Sequence, residues 1–317
     1  MSEEGSVSVG REHQLLTLEV CRRFHLDGWT KSAVADHFGL SRFQVARMLE
    51  RARDQGWVRI EVDAPAWVDA ELGDRVRDRL GLRHAVVVRA ESPGAMTRAE
   101  MAWAIARLVE GVLTTDDVLG LAWSRTIAAA VERMQIVPRI PVVQLTGALP
   151  RPDEGSSVEL VRRFASTSGG PAYVFYAPMI LNDTWAAESM RGQPEVAGAM
   201  DQLKAVTVAL IAVGGWAPGA STLYDGMTPA DRAEVVGCGV LGEISGVFIG
   251  PDGALPRPPI SDRLLCPSAA ALAAVPHVIA AVPGEHRAAV VSSAVASGVV
   301  GSVVISQSTA EDLLLLG

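Results

Sequence analysis

Residues 12–27 (EHQLLTLEVCRRFHLD) set Leu15, Leu16, Leu18, Val20 and Leu26 among polar neighbours, a helical spacing that Gly28 ends. Thr30 then predicts the cap of a short helix, KSAVADHF, whose Ala33 and Ala35 permit close approach of another helix. Gly39 suits the left-handed turn that stops it. Ser41 predicts a new cap. The helix RFQVARMLERARDQ follows, with Val45, Met48, Leu49 and Ala52 on one face and Arg42, Gln44, Arg47 and Arg51 on the others, until Gly56. Trp57–Val62 (WVRIEV) alternates like a strand and predicts a short wing, ended by Pro65.

Beyond Pro65 the pattern changes. Trp67, Leu72, Val76 and Leu80 recur at near-helical spacing and predict a connector helix over 65–82. After Gly81 apolar strand-like runs alternate with helical stretches. The runs are HAVVV (84–88), DVLGLAW (117–123), PVVQL (141–145), PAYVFYA (171–177), AVTVALIAV (205–213), GVFIG (246–250), HVIAAV (277–282) and GSVVIS (301–306). Strands buried on both faces read as continuous apolar runs, so 83–317 is expected to be an open, mostly parallel, Rossmann-like α/β sheet. The small domain is then 1–64.

Length and composition agree with two globular domains: 317 residues, 49% hydrophobic, 20% charged and 5% aromatic. No uninterrupted apolar run of 18 residues and no basic start followed by an apolar stretch are present, so no membrane span and no secretion are expected. Cys21, Cys238 and Cys266 are too scattered for a disulfide framework or a zinc site, which suits the cytoplasm. Cys21 and His25 lie at i, i+4, but two ligands close no metal site. No metal or cofactor is expected.

The net charge of −8 hides its distribution. Residues 1–62 hold nine Lys/Arg and nine Asp/Glu, and residues 63–317 hold 19 and 27, so the larger part carries the whole excess. Within Gly28–Arg59 there are six bases and three acids, a local surplus able to neutralise phosphates while the acidic body repels DNA elsewhere. Two helices joined by a Gly-containing turn form a helix-turn-helix, whose second helix can enter the major groove. Arg42, Gln44 and Arg47 are candidate base readers; Lys31, Ser41, Arg51 and, on the wing, Arg59 are candidate phosphate contacts. A helical hairpin used for oligomerisation is the duller alternative.

In open parallel sheets ligands sit beyond the carboxyl ends of strands, at helix N-termini that favour anions. This rule selects Trp123–Thr126, Thr146-Gly147, Gly214-Gly215, Gly284–Arg287 and Ser306–Thr309. None is a Walker loop or a G-x-G-x-x-G fingerprint.

The order of several motifs resembles the SorC family of bacterial sugar-responsive transcriptional regulators. They are SAVADHFGLSRFQVARMLERARDQGWVRIEV (32–62), LGLAWSRTIAAAV (119–131), VVQLTGAL (142–149), VLGEISGVFIGPDG (240–253) and VPGEHRAAVVSSAVASGVVGSVVISQSTAEDLL (282–314). The resemblance implies a winged helix-turn-helix and an effector domain related in fold to sugar-phosphate isomerases. It also implies a sugar-phosphate effector and a homo-oligomer, dimer or tetramer, on operator DNA. At the strand carboxyl ends, helix-start amides and hydroxyls then put Ser124, Arg125 and Thr126 on one side of the expected effector and Arg287 near its phosphate, with Glu243, Thr146 and Gln307 at the hydroxyls and Gly147 and Gly284 in the same loops. The chain departs from the family at Ser124, where Trp-Gly-Arg-Thr is usual, at Pro283–Arg287 for a Gly-Gly-x-x-Lys-like turn, at Ser306–Ser308 for a Thr-Asp-Glu-like loop, and at Gly242-Glu243 for Gly-Asp. An isomerase-like enzyme is the competing class, with Glu243 and His286 as its loop candidates for proton transfer and Lys204 as the large domain's lone lysine.

Overall fold

The computed structural model describes residues 4–58, 67–90, 98–149 and 155–316, with side chains from residue 13 onward. The chain divides into two compact units, Met1–Asp63 and Ala64–Gly317.

Among its described residues the small unit holds three helices, α1 (Glu4–His25), α2 (Lys31–Phe38) and α3 (Arg42–Asp54). Its caps follow the sequence. Thr30 Oγ1 accepts from Ala33 N at 3.1 Å, and Gly39 turns the chain at φ 65°. Val20, Cys21, Val34, Ala35, Val45, Met48, Leu49 and Ala52 form the core, with Leu16, Trp29 and Val58 against it. One expectation changes. The first helix begins well before residue 12, and Leu15, Leu18 and Leu26 face solvent, because a single helix-wide contact stripe is all that α2 and α3 can cover. Trp57 is only partly covered, and the expected wing with Arg59 lies outside the described residues.

The large unit opens with α4 (Ala70–Leu80), capped by Asp69 and ended by Gly81 at φ 66°. The expected connector is instead a layer of this unit. Leu72 and Val76 join its core, and a β-carbon on Gly73 would lie 2.6 Å from Ala85 O. Its apolar face is therefore already used within this unit.

Then follow β1 (His84–Val88), α5 (Arg98–Val112), β2 (Leu119–Leu121), α6 (Arg125–Val131), β3 (Val142–Gln144), α7 (Ser157–Ser168) and β4 (Ala172–Tyr173). After α8 (Thr184–Arg191) and α9 (Pro194–Asp201) come β5 (Val208–Gly215), α10 (Thr222–Gly226) and α11 (Pro229–Gly237). The chain ends with β6 (Gly242–Ile244), β7 (Val247–Ile249), α12 (Ala269–Ala273), β8 (His277–Ala281), α13 (Ala288–Ala296), β9 (Ser302–Ser306) and α14 (Gln307–Leu315).

Among the described residues seven strands pair in parallel in the order β1-β9-β8-β5-β2-β3-β4. Alternate residues of one strand enter two cores. On β5, Ala209, Ile211 and Val213 pack with α4, α13 and α14, whereas Val208 and Leu210 pack with α5, α6 and α7. Burial on both faces is what the continuous apolar runs require. From β2 the chain steps outward to β3 and β4, then returns to β5 on the other side of β2 and continues to β8 and β9. The crossover between β2 and β5 is thus the switch point, where a crevice forms at the carboxyl ends.

Candidate functional site

At that switch point lies a cavity of about 320 Å³. Ser124 to Thr126 reach it from the end of β2, Gly214 from β5, Gly284 and Arg287 from the loop after β8, and Arg98 from the first turn of α5. Helix starts converge on it. Ser124 Oγ caps α6 by accepting from Ile127 N at 3.1 Å, and Ser221 caps α10. Amides at helix starts favour anions, and Arg98, Arg125 and Arg287 add three cationic side chains to the lining.

Arg287 is held by its surroundings. Its N–H donates to Thr309 Oγ1 at 3.0 Å, and Ser306 Oγ lies 2.9 Å from Thr309 Oγ1 and 3.1 Å from Gly284 O. A β-carbon on Gly215 would come within 2.9 Å of Arg287 Nη1, and one on Gly284 (φ 101°) within 3.1 Å of its Nε. Two glycines therefore let the guanidinium lie across the strand ends. Its Nε is buried with no hydrogen-bond partner among the described residues, an unmet donor at the cavity wall.

Glu243 comes to the same cavity through β6, which pairs antiparallel with the end of β5 and sets Glu243 opposite Gly214. The β6–β7 turn uses positive φ at Ser245 (48°) and Gly246 (101°), as a tight hairpin demands. Ser221 Oγ donates to Glu243 Oε1 at 2.8 Å, and Gly246 N donates to Oε2 at 2.9 Å. Burial pushes this carboxyl above the usual glutamate range, against the pull of the Gly246 and Ser221 bonds. The folded protein therefore holds the Glu243 proton more tightly than the unfolded chain does. Stability from this group is fully present below the ordinary glutamate pKa and is lost as pH rises through the raised folded value. Glu243→Gln is expected to remove that slope, read as urea-unfolding midpoints across the pH range. An unchanged slope would place its origin elsewhere.

Of the residues expected at an effector, Ser124, Arg125, Thr126, Glu243, Gly284 and Arg287 share the cavity. Thr146 and Gly147 line a smaller void of about 20 Å³ beside it, which Glu243 and Thr222 also border. Gln307 is not among the residues lining the larger cavity, and its Nε2 donates to Glu311 Oε1 at 2.7 Å, an i+4 partner along α14. His286 is exposed and pairs with Asp312 at 2.8 Å, so it forms no proton-transfer pair with Glu243. Lys204 pairs with Asp201 on the surface. Arg98, Ser221 and Thr222 join the lining without having been singled out. The Ser221–Glu243 bond spans 22 residues, and no local pattern announces it.

In the small unit Arg42, Arg47 and Arg51 are exposed on α3, without an ion pair among the described residues. Lys31 lies 5.7 Å over the Phe24 ring. Ser41 and Gln44 form a reciprocal capping box: Ser41 Oγ accepts from Gln44 N at 3.1 Å, and Gln44 Oε1 accepts from Ser41 N at 2.7 Å. Gln44 Oε1 is thus engaged at the start of α3.

The family described as "Putative sugar-binding domain" matches residues 65–315, the whole of the sheet unit that carries the cavity. The chain belongs to this family, that of the SorC regulators. It is similar to the crystal structure of the full-length sorbitol operon regulator SorC from Klebsiella pneumoniae (20% identity, TM-score 0.70), over 96% of this chain and 99% of that one. Among curated relatives, the uncharacterized transcriptional regulator YjhU of Escherichia coli is 24% identical, covering 92% of each chain. The erythritol catabolism regulatory protein EryD of Brucella abortus is also 24% identical, over 90% of this chain and 92% of the relative. The SorC fold thus extends over both units. No helix of the described residues is long and apolar enough to cross a membrane.

Proposed function

We propose that this chain is a cytoplasmic, DNA-binding transcriptional regulator of carbohydrate metabolism, and that a small anionic carbohydrate in the β2–β5 cavity sets its affinity for operator DNA. The cavity carries the reading. It is of small-ligand size, lies at the switch point of a SorC-family sheet, and collects three arginines with the starts of several helices. Arg287 and the α6 start suit a phosphate, and Thr126 and the remaining lone pairs of Glu243 suit hydroxyls. Glu243 has both oxygens occupied by protein donors, Ser221 Oγ and Gly246 N, which favours binding over catalysis. The regulators among its relatives point the same way. The test is a mobility shift on an operator selected from random duplexes, with and without a panel of sugar phosphates and free sugars. Operator affinity that responds to one sugar, which is recovered unchanged, is the expected result. Turnover of that sugar would favour the enzyme instead.

On the DNA side, Arg47→Ala is expected to cost about 1–3 kcal/mol and to relax preference at one operator position. Equal loss on operator and random DNA would make Arg47 a phosphate contact. One recognition helix buries little area on DNA, so paired half-sites read by a homo-oligomer, dimer or tetramer, are expected. Sedimentation as a monomer at micromolar concentration, unchanged by operator, would overturn the assembly.

A further inference from the structure

Phe43 stands at the second position of α3, between Arg42 and Gln44, and is 73% exposed, the most exposed aromatic side chain of the small unit among the described residues. It takes no part in the core, which α3 supplies through Val45, Met48, Leu49 and Ala52 on the opposite face. Arg47 and Arg51 follow it at i+4 and i+8, so an apolar ring and two exposed guanidinium groups share one outward line of the helix. Isolated surface apolar residues need no explanation in general. Here the ring lies at the start of the helix, where base edges are reached, on a surface complementary to phosphate. The apolar group that base pairs present in the major groove is the C5-methyl of thymine.

We propose that Phe43 reads a thymine methyl in the operator, and that Gln44 is a positioning residue that fixes the start of α3 through its bond to Ser41. The inference rests on the DNA-binding reading above. The capping box ties the backbone at Ser41 and Gln44 on either side of Phe43, so the ring is presented from a fixed helix start.

The test uses the full chain and an operator that it selects from random duplexes. Each thymine is replaced in turn by deoxyuridine, which keeps the base pair and removes only the methyl. The unmodified protein is expected to lose about fourfold in affinity at one thymine per half-site, the scale of one buried methyl-sized group. Phe43→Ala should bind the methylated and unmethylated sites equally at that position, with an unchanged salt dependence. Phe43→Leu, which keeps an apolar contact, should retain the discrimination. Gln44→Ala should lower affinity at every position without changing which thymine matters. Uniform tolerance of deoxyuridine by a protein that does select a sequence overturns the methyl contact and leaves DNA binding standing. Failure to select any sequence overturns both. A Phe43→Ala protein that keeps its methyl discrimination but changes oligomeric state assigns the ring to a protein contact and overturns the proposal.

Discussion

Replacing Arg287 by alanine is expected to abolish the thermal stabilisation that a phosphorylated sugar gives this protein. A ligand at 100 times its Kd stabilises the state that binds it by about 2.7 kcal/mol. Truncating one partner of a buried charge-assisted contact costs about 2–5 kcal/mol, and a variant weakened a hundredfold keeps only about 0.4 kcal/mol of that stabilisation. The reason for choosing Arg287 is local. Its guanidinium lies over Gly215 and Gly284, its Nε has no partner among the described residues, and its backbone is tied to Thr309. Operator affinity in the absence of sugar should be intact, since the substitution falls in the sheet unit. Stabilisation by a neutral polyol but not by sugar phosphates would mean that the loops at 284–287 and 306–309 serve another ligand class.

Gly242→Ala should cause a large loss of stability, about 3 kcal/mol, read as a lowered urea midpoint with an unchanged slope. A β-carbon there would meet both Gly214 O and Val290 Cγ2 at 2.4 Å. Gly214 O is backbone of the central strand and cannot swing aside, so β6 must separate from β5. That separation would also withdraw Glu243 from the cavity, linking the stability loss to a loss of sugar response. Gly111→Ala is the control. It lies in α5 with open space around it, and removing a helical glycine should stabilise by about 0.5 kcal/mol. Equal effects at the two positions would show that β6 has room that the packing does not suggest.

The helix-start residues were legible because a cap is a local contract. Thr30 and Ser41 bind amides three residues away, and Ser124 does the same at the cavity. The same locality governs two glutamines. Gln44 and Gln307 have the chemistry to read a base or hold a hydroxyl, yet each has an intramolecular partner three or four residues along its own helix. A nearby partner costs little ordering entropy and wins over a distant one.

The sequence by itself determined the three-helix small unit, the parallel sheet buried on both faces and the set of loops at its carboxyl ends, since each follows from periodicity and short-range punctuation. It also carried the motifs of the SorC family. Only the tertiary structure decided which of those loops meet. The antiparallel register of β6 on β5 brings Glu243 opposite Gly214, and the cap of α10 brings Ser221 to its carboxylate. The first turn of α5 adds Arg98, and α4 turns from a connector into a layer of the sheet domain. These outcomes depend on pairing between segments tens to hundreds of residues apart. Their energies come from burial and hydrogen bonds that exist only after the sheet has closed, so no window of the sequence contains them.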